Sequence, residues 1–400
     1  MTSPTFVVIG AGLAGAKGAE ALRDKGFSGQ IVLVGDEEHL PYERPPLSKD
    51  YLAGNAARDS LHVHDATWYA EQHIELRLGV RATGIDRAAH QVRLSDGTSL
   101  GYAKLLLATG ASPRTLPGAN GVHYLRRLED SDWLKGLFTT AGSLVVIGAG
   151  WIGLETAAAA RQAGLDVTVV EALPQPLLPA LGREVAAVFA DLHLQHGVDL
   201  HLGVEVDQVE RGKRVKLADG TVLEADAVVA GIGARPNTGI ARACGLRADN
   251  GLLVDASLRT SDPDIFAAGD VANAYHPEFG RRLRVEHWSN ALNQPAVAAA
   301  GMLGKNDVYD ELPYFFTDQY DLGMEFLGTI DGYDRVVSRG DVPGREFIAF
   351  WLKDNRVLAG MNVNVWEVTE PIKALIRSRR PIDPDRLAAP EVPLDRIATS

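Results

Sequence analysis

Short apolar runs that end at or near a glycine recur along the first half of the chain. The first run, Phe6–Ile9, leads directly into a glycine-rich segment, and an Ala-rich stretch and a second run, Ile31–Val34, follow. Short runs of this kind bounded by glycine are typical of buried strands, and the Ala-rich stretch between them is typical of a helix. The pattern predicts a strand, a tight turn, a helix and a second strand.

The glycine-rich segment has the spacing of a dinucleotide site. In Gly10-Ala11-Gly12-Leu13-Ala14-Gly15 the first glycine permits the turn, the second admits a pyrophosphate, and the third lets helix and strand pack closely. The N-terminus of the following helix favours phosphate charge. Asp36 lies one residue later than the acid expected to bind a ribose, because Gly35 takes the usual position.

The opening pattern returns in the middle of the chain. Leu144–Ile147 leads into a second glycine segment, 148–153, and the next apolar run ends at Glu171. A later hairpin is repeated as well, because 92–98 is answered by 215–221. Two long repeats of this kind predict an α/β protein with two tandem Rossmann-like dinucleotide-binding domains rather than a solenoid.

The second half of the chain adds further elements. The run Ile265–Ala268 ends at Gly269-Asp270, which suits a polyol or pyrophosphate, and a helix is expected from about 290 to 303. Aromatic-rich strands and a helix near 370–379 predict a C-terminal α+β domain over 311–400, with a loosely ordered tail from Pro384. Between 41 and 49, three prolines predict a stiff, shaped loop.

Composition narrows the class of protein. A chain of 400 residues with 46% hydrophobic residues suggests two or three globular domains, and a net charge of −12 argues against nucleic acid or an anionic membrane as the main partner. The single cysteine, Cys244, excludes an internal disulfide and suits a reducing cytoplasm. The stretch 143–160 is long enough to span a membrane, but its glycine segment and Glu155 favour strand, turn and helix. The histidines show no metal-binding spacing, so no metal is predicted.

Several motifs together resemble the FAD-dependent NADH:ferredoxin reductases of the putidaredoxin reductase, rhodocoxin reductase and dioxygenase ferredoxin-reductase type. They are both glycine segments, Arg44–Lys49, 108–110, Thr260–Asp270 and 288–291. The resemblance implies an enzyme that takes a hydride from NADH and passes electrons singly to a ferredoxin serving a monooxygenase or dioxygenase. It also implies that 1–112 with 240–310 bind FAD and that 113–239 bind NADH.

The resemblance further implies which residues line the two cofactor sites. For FAD these are Gly10, Gly12, Ala14, Gly15, Asp36, Arg44, Pro45, Lys49, Arg126, Gly269, Asp270 and Trp288. For NADH they are Gly148, Gly150, Ile152, Gly153, Glu155, Glu171, Gly231 and Gly233. Lys49 and Glu155 would form the surroundings of the flavin and nicotinamide without acting as acid or base. Glu171 would accept from the ribose hydroxyls and repel a 2′-phosphate, which favours NADH over NADPH.

Some features leave alternatives open. Members of this family often carry a tryptophan in the segment before Ser/Thr-Asp-Gln, where this chain has Tyr314, Phe315 and Phe316 before Thr317-Asp318-Gln319. Trp366 is expected to be a partly buried core residue. Two groups of basic residues suggest either a landing site for an acidic ferredoxin or an ordinary solvated surface: Arg281, Arg282, Arg284 and Lys373, Arg377, Arg379, Arg380. The competing functions are an NADH-dependent flavoprotein with a quinone or rubredoxin as acceptor, and an NADH-responsive switch resembling apoptosis-inducing factor. A monomer or weak dimer is expected.

Overall fold

The structure, a computed structural model, describes residues 4–399 and the side chains of residues 4–397. The chain forms two compact units, each assembled from separate stretches of sequence. Unit 1 comprises the chain before Pro46 together with Ala57–Ser112 and Ala234–Glu311. Unit 2 comprises Pro46–Ala56, Pro113–Gly233 and the chain from Leu312.

The elements up to residue 113 begin as alternating strands and helices and end in a run of six strands. They are β1 (Thr5–Ile9), α1 (Leu13–Asp24), β2 (Gln30–Val34), α2 (Ala66–Glu71), β3 (Ile74–Arg77), β4 (Ala82–Asp86), β5 (Gln91–Leu94), β6 (Ser99–Gly101), β7 (Lys104–Leu107) and β8 (Ala111–Pro113). The proline-rich loop contains one short 3₁₀ turn, Pro45–Ser48. The prolines therefore start a turn rather than interrupt a longer element.

The next two stretches repeat this design and then depart from it. Between 114 and 233 lie α3 (Leu128–Phe138), β9 (Ser143–Ile147), α4 (Trp151–Gln162), β10 (Asp166–Glu171), α5 (Leu178–Gln195), β11 (Asp199–Leu202), β12 (Val206–Glu210), β13 (Arg214–Leu217), β14 (Val222–Glu224) and β15 (Ala227–Ala230). Between 234 and 311 lie β16 (Ala234–Pro236), α6 (Gly239–Ala243), β17 (Ala248–Asp249), β18 (Gly251–Val254), β19 (Ile265–Ala267), β20 (Ala272–His276), β21 (Arg281–Leu283) and α7 (Trp288–Met302).

The C-terminal stretch forms one antiparallel sheet followed by helices. Its elements are β22 (Tyr314–Gln319), β23 (Leu322–Gly328), β24 (Arg335–Asp341), β25 (Glu346–Lys353), β26 (Arg356–Val363), α8 (Thr369–Ser378), α9 (Pro384–Ala388) and α10 (Leu394–Thr399). The strand order is β22-β23-β26-β25-β24. The α+β character predicted for this stretch is confirmed.

Unit 1 is built around a parallel sheet of order β19-β7-β1-β2-β3. Its central strands are apolar on both faces, as the full burial of Val7, Val8, Ile31 and Val32 shows. Strands covered on both sides are expected to be continuous apolar runs, which is why the first run could be recognised as a strand from the sequence. The β4-β5-β6 and β17-β18-β20-β21 sheets also belong to this unit.

Unit 2 contains the second copy of the pattern. Its parallel sheet has the order β11-β10-β9-β15, and the small sheet β12-β13-β14 corresponds to β4-β5-β6 of unit 1. The helix after each glycine turn has 12 residues in both copies. The prediction of an α/β protein with two tandem Rossmann-like folds is confirmed.

Two expectations from the sequence were wrong. Trp366 is 55% exposed rather than partly buried in a core, because it follows the end of β26 in a turn where Asn364 and Glu367 have positive φ. The stretch from Pro384 is not a loose tail, because α9 and α10 bury Leu387, Leu394 and Ile397.

Candidate functional site

The first glycine turn, which lies between β1 and α1, contains two glycines that the fold requires and one that it does not require. Gly10 has a φ of +110°, and a Cβ there would overlap the carbonyl oxygen of Ala108. A Cβ on Gly15 would overlap the carbonyl oxygen of Gly10. A Cβ on Gly12, in contrast, would meet nothing within 4 Å. The protein itself therefore does not explain the glycine at 12, whereas a ligand that lies against the backbone would explain it.

The N-terminus of α1 suits an anionic ligand at that position. Gly12 is the N-cap residue, no side chain caps the helix, and its first turn contains no acidic residue. Free backbone N–H groups and the positive end of the helix dipole favour phosphate here. The residues present therefore fit the pyrophosphate of a dinucleotide.

The Gly269-Asp270 motif lies beside this turn. Gly269 has a φ of +77°, and a Cβ there would come within 2.9 Å of the Cβ of Ala14. The Gly269 N–H donates to Gln294 Oε1 over 2.9 Å, and Gln294 is 1% exposed. Sequence reasoning missed Gln294, because Asn290 and Asn293 lie in the same half of α7 and nothing in the sequence distinguishes one of these amides from the others.

Arg44 is held by acidic neighbours in unit 1. Its Nη2 lies 2.7 Å from Glu37 Oε1, and Tyr42 Oη donates to the other Glu37 oxygen over 2.5 Å. Burial works to lower the pKa of Arg44, but Tyr42, Glu37 and Asp270 outweigh it and raise that pKa. Arg44 therefore stays cationic beside Asp270, whereas Asp36 lies exposed beyond β2.

Trp288, the first residue of α7, is fixed by a polar contact. Its indole Nε1 donates to Glu43 Oε2 over 3.0 Å, within unit 1. The ring is therefore oriented by the proline-rich loop rather than left to rotate. Pro45 closes the unit 1 part of that loop.

The second glycine turn, between β9 and α4, also has two outer glycines that the fold requires and a middle glycine that it does not. Gly148 has a φ of +96°, and a Cβ there would lie 2.6 Å from the carbonyl oxygen of Gly231, while a Cβ on Gly153 would overlap the Gly148 carbonyl oxygen. A Cβ on Gly150 would find only Gly231 oxygen, at an ordinary 3.7 Å. The middle glycine is again not required by the fold. Ile152, two residues further along, is 42% exposed.

Glu171, at the end of β10, already bonds to the protein. One carboxylate oxygen accepts from the N–H of Ala149 over 2.7 Å, and the other accepts from Leu173 over 2.8 Å. A carboxylate has about four acceptor positions, so two remain for hydroxyl groups. Glu171 can therefore fix the glycine turn and bind a ribose together.

Glu155 is the centre of a buried polar cluster in unit 2. Its side chain is 4% exposed on α4 and forms an ion pair with the Lys49 ammonium. Ser48 Oγ donates to one carboxylate oxygen and Thr317 Oγ1 to the other, each over 2.5 Å. The Lys49 nitrogen also lies 5.6 Å from the ring centre of Phe316. Three donors satisfy a carboxylate that would otherwise be costly to bury.

The predicted site residues divide between the two units. Unit 2 contains Lys49, Arg126 and every residue predicted for NADH, whereas unit 1 contains the other residues predicted for FAD. The Arg126 N–H donates to Asp130 Oδ2 over 2.9 Å, just before α3. The sequence singled out neither Ser48 nor Thr317 as a partner of Glu155.

The described residues contain neither a membrane-spanning helix nor a metal-binding group of side chains. No helix within 4–399 combines the length and apolar character needed to cross a bilayer. Among the same residues, no group of His, Cys, Asp and Glu side chains is arranged to hold a metal ion.

Two parallel sheets, each with a glycine turn open at its middle residue, define a protein that binds two dinucleotides. The chain belongs to the pyridine nucleotide-disulphide oxidoreductase family, whose model matches residues 4–295, and a reductase C-terminal model matches residues 314–398. The family resemblance expected from the sequence is confirmed.

Curated relatives match along nearly the whole chain. The ferredoxin–NAD(+) reductase component of the anthranilate 1,2-dioxygenase system from Burkholderia cepacia is 43% identical, over 98% of this chain and 99% of that protein. Putidaredoxin reductase from Pseudomonas putida is 40% identical, over 98% of this chain and 96% of that protein. A crystal structure of the covalent putidaredoxin reductase–putidaredoxin complex matches with a TM-score of 0.96 and 40% identity, covering 100% of this chain and 99% of that one.

Proposed function

We propose that this protein is an FAD-dependent NADH:ferredoxin reductase, which oxidises NADH and passes electrons singly to a ferredoxin-type iron–sulfur protein that serves an oxygenase. The observation that carries the proposal is the pair of middle glycines, Gly12 and Gly150, which a ligand explains and the fold does not. The relatives named as ferredoxin reductases over their full length support the acceptor.

We assign FAD to the glycine turn of unit 1 and NADH to that of unit 2. The Gly269-Asp270 motif beside the first turn supports the first assignment, because its glycine lies close against Ala14 and its carboxylate suits the hydroxyl groups of a polyol. Glu171 beside the second turn supports NADH, because its negative charge would repel a 2′-phosphate.

Bound FAD supplies the chemistry of accepting a hydride from a nicotinamide and releasing the two electrons one at a time. Lys49 supplies a positive charge that would stabilise negative charge on a reduced flavin, and Glu155 holds that ammonium in place. No side chain needs to act as a general acid or base. The chain has one cysteine, so it contains no cysteine pair of its own to relay electrons.

The cytoplasm is the proposed location. A single half-buried thiol, Cys244, fits a reducing compartment, where proteins rarely depend on disulfides.

The test is anaerobic stopped-flow absorbance with the purified holoprotein. NADH is expected to bleach the flavin at least about tenfold faster than equimolar NADPH, as expected for a site whose carboxylate selects the ribose hydroxyl. The reduced protein is then expected to reduce a ferredoxin faster than it reduces quinones. Slow bleaching with a persistent long-wavelength absorbance band would instead favour an NADH-responsive switch. Rapid turnover with quinones but not with ferredoxins would indicate that a quinone is the acceptor.

A further inference from the structure

A line of buried polar side chains leads away from Glu155 towards helix α5, within unit 2. Thr317 Oγ1 contacts Glu155 Oε1 at 2.5 Å, Gln319 Nε2 contacts Thr317 Oγ1 at 3.2 Å, and His193 Nε2 lies 2.9 Å from Gln319 Oε1. Each of these four side chains belongs to a residue that is at most 4% exposed. A buried line of this length is costly unless every member has a partner, which is the case for each contact above.

The chemistry of the groups sets the direction of every bond. An ionised carboxylate only accepts, so Thr317 donates its hydroxyl proton to Glu155 and accepts from the Gln319 amide. The carbonyl oxygen of Gln319 then accepts from His193 Nε2–H. Burial lowers the pKa of His193 to about 4, so the ring is neutral at pH 7 and this contact fixes its tautomer.

The hydroxyl of Tyr320 lies 3.5 Å from the remaining ring nitrogen, His193 Nδ1. All donors in the line therefore point the same way, towards the Glu155 carboxylate. Hydrogen bonds that are aligned in series polarise one another, so the last donor, Thr317, is stronger than an isolated hydroxyl.

Strand β22 explains why two members of the line come from one element. Thr317 and Gln319 are two residues apart, so both side chains project from the same face of the strand. That face is buried, whereas Asp318 between them is exposed. The strand thus presents the Thr317 hydroxyl to the Glu155 carboxylate, with the Gln319 amide donating to that hydroxyl from the same face.

We propose that Thr317 and Gln319 are positioning residues for NADH oxidation, which orient Glu155 and, through it, the Lys49 ammonium. This inference rests on the proposed function, because it assumes that Lys49 acts on the flavin. Without the hydrogen bond from Thr317, the Glu155 carboxylate would carry more unshared negative charge and would interact more strongly with the Lys49 ammonium. The ammonium would then offset less negative charge on the reduced flavin, so the midpoint potential would fall.

The experiment compares Thr317→Val with a matched control, Thr156→Val, in the FAD-loaded protein. Thr156 is a fully buried threonine next to Glu155 on α4, but its hydroxyl donates to the Ile152 carbonyl, so it lies outside the line. The flavin midpoint potential is measured by dye equilibration, and stopped-flow gives the rate constant of flavin reduction at saturating NADH. The NADH dissociation constant comes from the same traces.

Thr317→Val is expected to lower the potential and to slow flavin reduction about tenfold, the effect of one hydrogen bond to a charged group, while NADH affinity stays within about twofold. Thr317→Ser keeps a hydroxyl and is expected to restore both quantities. Gln319→Leu breaks the line one step further from Glu155 and is expected to act in the same direction with a smaller effect. It also serves as the test if Thr317→Val does not fold.

The inference would be overturned if Thr317→Val left both the potential and the rate constant as in the wild type. It would also be overturned if Thr156→Val had an equal effect, since general loosening of the core would then explain the change. Failure of the wild-type holoprotein to be reduced by NADH would overturn the proposed function instead, and the potentials of the variants would still decide on the positioning role.

Discussion

At the scale of single residues, Glu171 shows how one carboxylate can serve the fold and a ligand together. It accepts from the backbone N–H groups of Ala149 and Leu173, one of which belongs to the second glycine turn. The turn is therefore shaped by the same charge that we assign to ribose recognition.

Replacing that charge should change the choice between nucleotides. Glu171→Gln is expected to lower kcat/KM for NADH by roughly 10- to 100-fold, because an amide offers a single acceptor oxygen and turns two donors towards bound N–H or hydroxyl groups. The value for NADPH should change much less, since the repulsion of its phosphate is removed. Steady-state kinetics with both nucleotides measure the ratio. Glu205→Gln, which removes an exposed carboxylate from the same unit, should leave it unchanged.

His193 should make the stability of the protein depend on pH. Burial lowers its pKa to about 4, below the ordinary 6.5 of an unfolded chain, so the unfolded state binds more protons between these values. The contribution of neutral His193 to the free energy of unfolding is fully present above pH 6.5 and is lost as the pH falls towards 4. That contribution is about 3 kcal/mol over the whole window, from the size of the shift.

Urea unfolding at pH 7 and pH 5 tests this expectation. The wild type should lose more stability between the two values than His193→Gln, in which the titrating group is absent. Equal losses in both proteins would show that His193 does not titrate in this window.

The residues that the sequence revealed are those whose type is fixed by a local rule. Gly10, Gly15 and the lysine-containing loop follow such rules. Thr317 follows none, because it meets Glu155 across 162 positions of sequence and only the folded chain brings the two together. A threonine in a strand is ordinary, so no pattern distinguished this one.

At the scale of elements, the first glycine turn combines a requirement of the fold with a requirement of the ligand. Gly10 and Gly15 allow β1, α1 and the segment at Ala108 to approach one another. Gly12 has an ordinary φ of −89° and open space around it. The two demands can therefore be separated by mutation.

Gly12→Ala is expected to leave the melting temperature of the FAD-free protein unchanged but to weaken FAD binding at least about tenfold, because the added methyl occupies the space of the ligand. Gly15→Ala is expected to cost about 1–3 kcal/mol of stability through overpacking against the Gly10 carbonyl. Circular dichroism gives the melting temperatures, and the ratio of flavin to protein absorbance gives FAD content. A Gly12→Ala protein that melts early would contradict this division.

Element prediction succeeded where burial and periodicity agreed and failed where the signal was short. The two strand–turn–helix units have uninterrupted apolar runs beside glycines, and the helix near 370 has apolar residues at helical spacing, Ile372, Leu375 and Ile376. The helices α9 and α10 span five and six residues among prolines, and their folding depends on burying Leu387 and Ile397 rather than on helix propensity.

At the scale of the whole molecule, charge is unevenly distributed on an acidic protein. The net charge is −12, yet Arg377, Arg379 and Arg380 are exposed near the end of α8. Both basic groups have internal contacts, since Arg282 donates to the carbonyls of Val254 and Asn273, Arg284 pairs with Glu286, and Lys373 pairs with Glu370. We propose the α8 group as the landing site for an acidic ferredoxin, because three of its arginines are exposed.

Neutralising two of these charges should weaken that encounter. The double variant Arg377→Gln with Arg380→Gln is expected to raise the KM for an acidic ferredoxin roughly 3- to 10-fold at low ionic strength, with a smaller effect at high salt because the charges are screened. Reduction of ferricyanide by NADH should be unaffected. Lys213→Gln with Lys216→Gln, which removes two charges near β13, is the matched control. Equal effects of the two double variants would indicate a response to net charge alone.

The tandem design was visible in the sequence, but the way the chain is shared between the two units was not. From the sequence, 1–112 was assigned to one domain, whereas in the structure Pro46–Ala56 belongs to unit 2. These eleven residues belong to unit 2 although both flanking stretches belong to unit 1. No periodic pattern in the sequence reveals this, because their placement depends on tertiary contacts such as that of Lys49 with Glu155.

This interleaving has a consequence for how the protein is made. The chain passes from one unit to the other five times, at residues 45, 56, 112, 233 and 311. On the ribosome, unit 1 lacks its third stretch until residue 311 has been translated, and unit 2 holds its first stretch ready long before its last is synthesised. Neither unit can be produced as a single continuous gene fragment, so a chimera that exchanges one whole unit must exchange three segments at once.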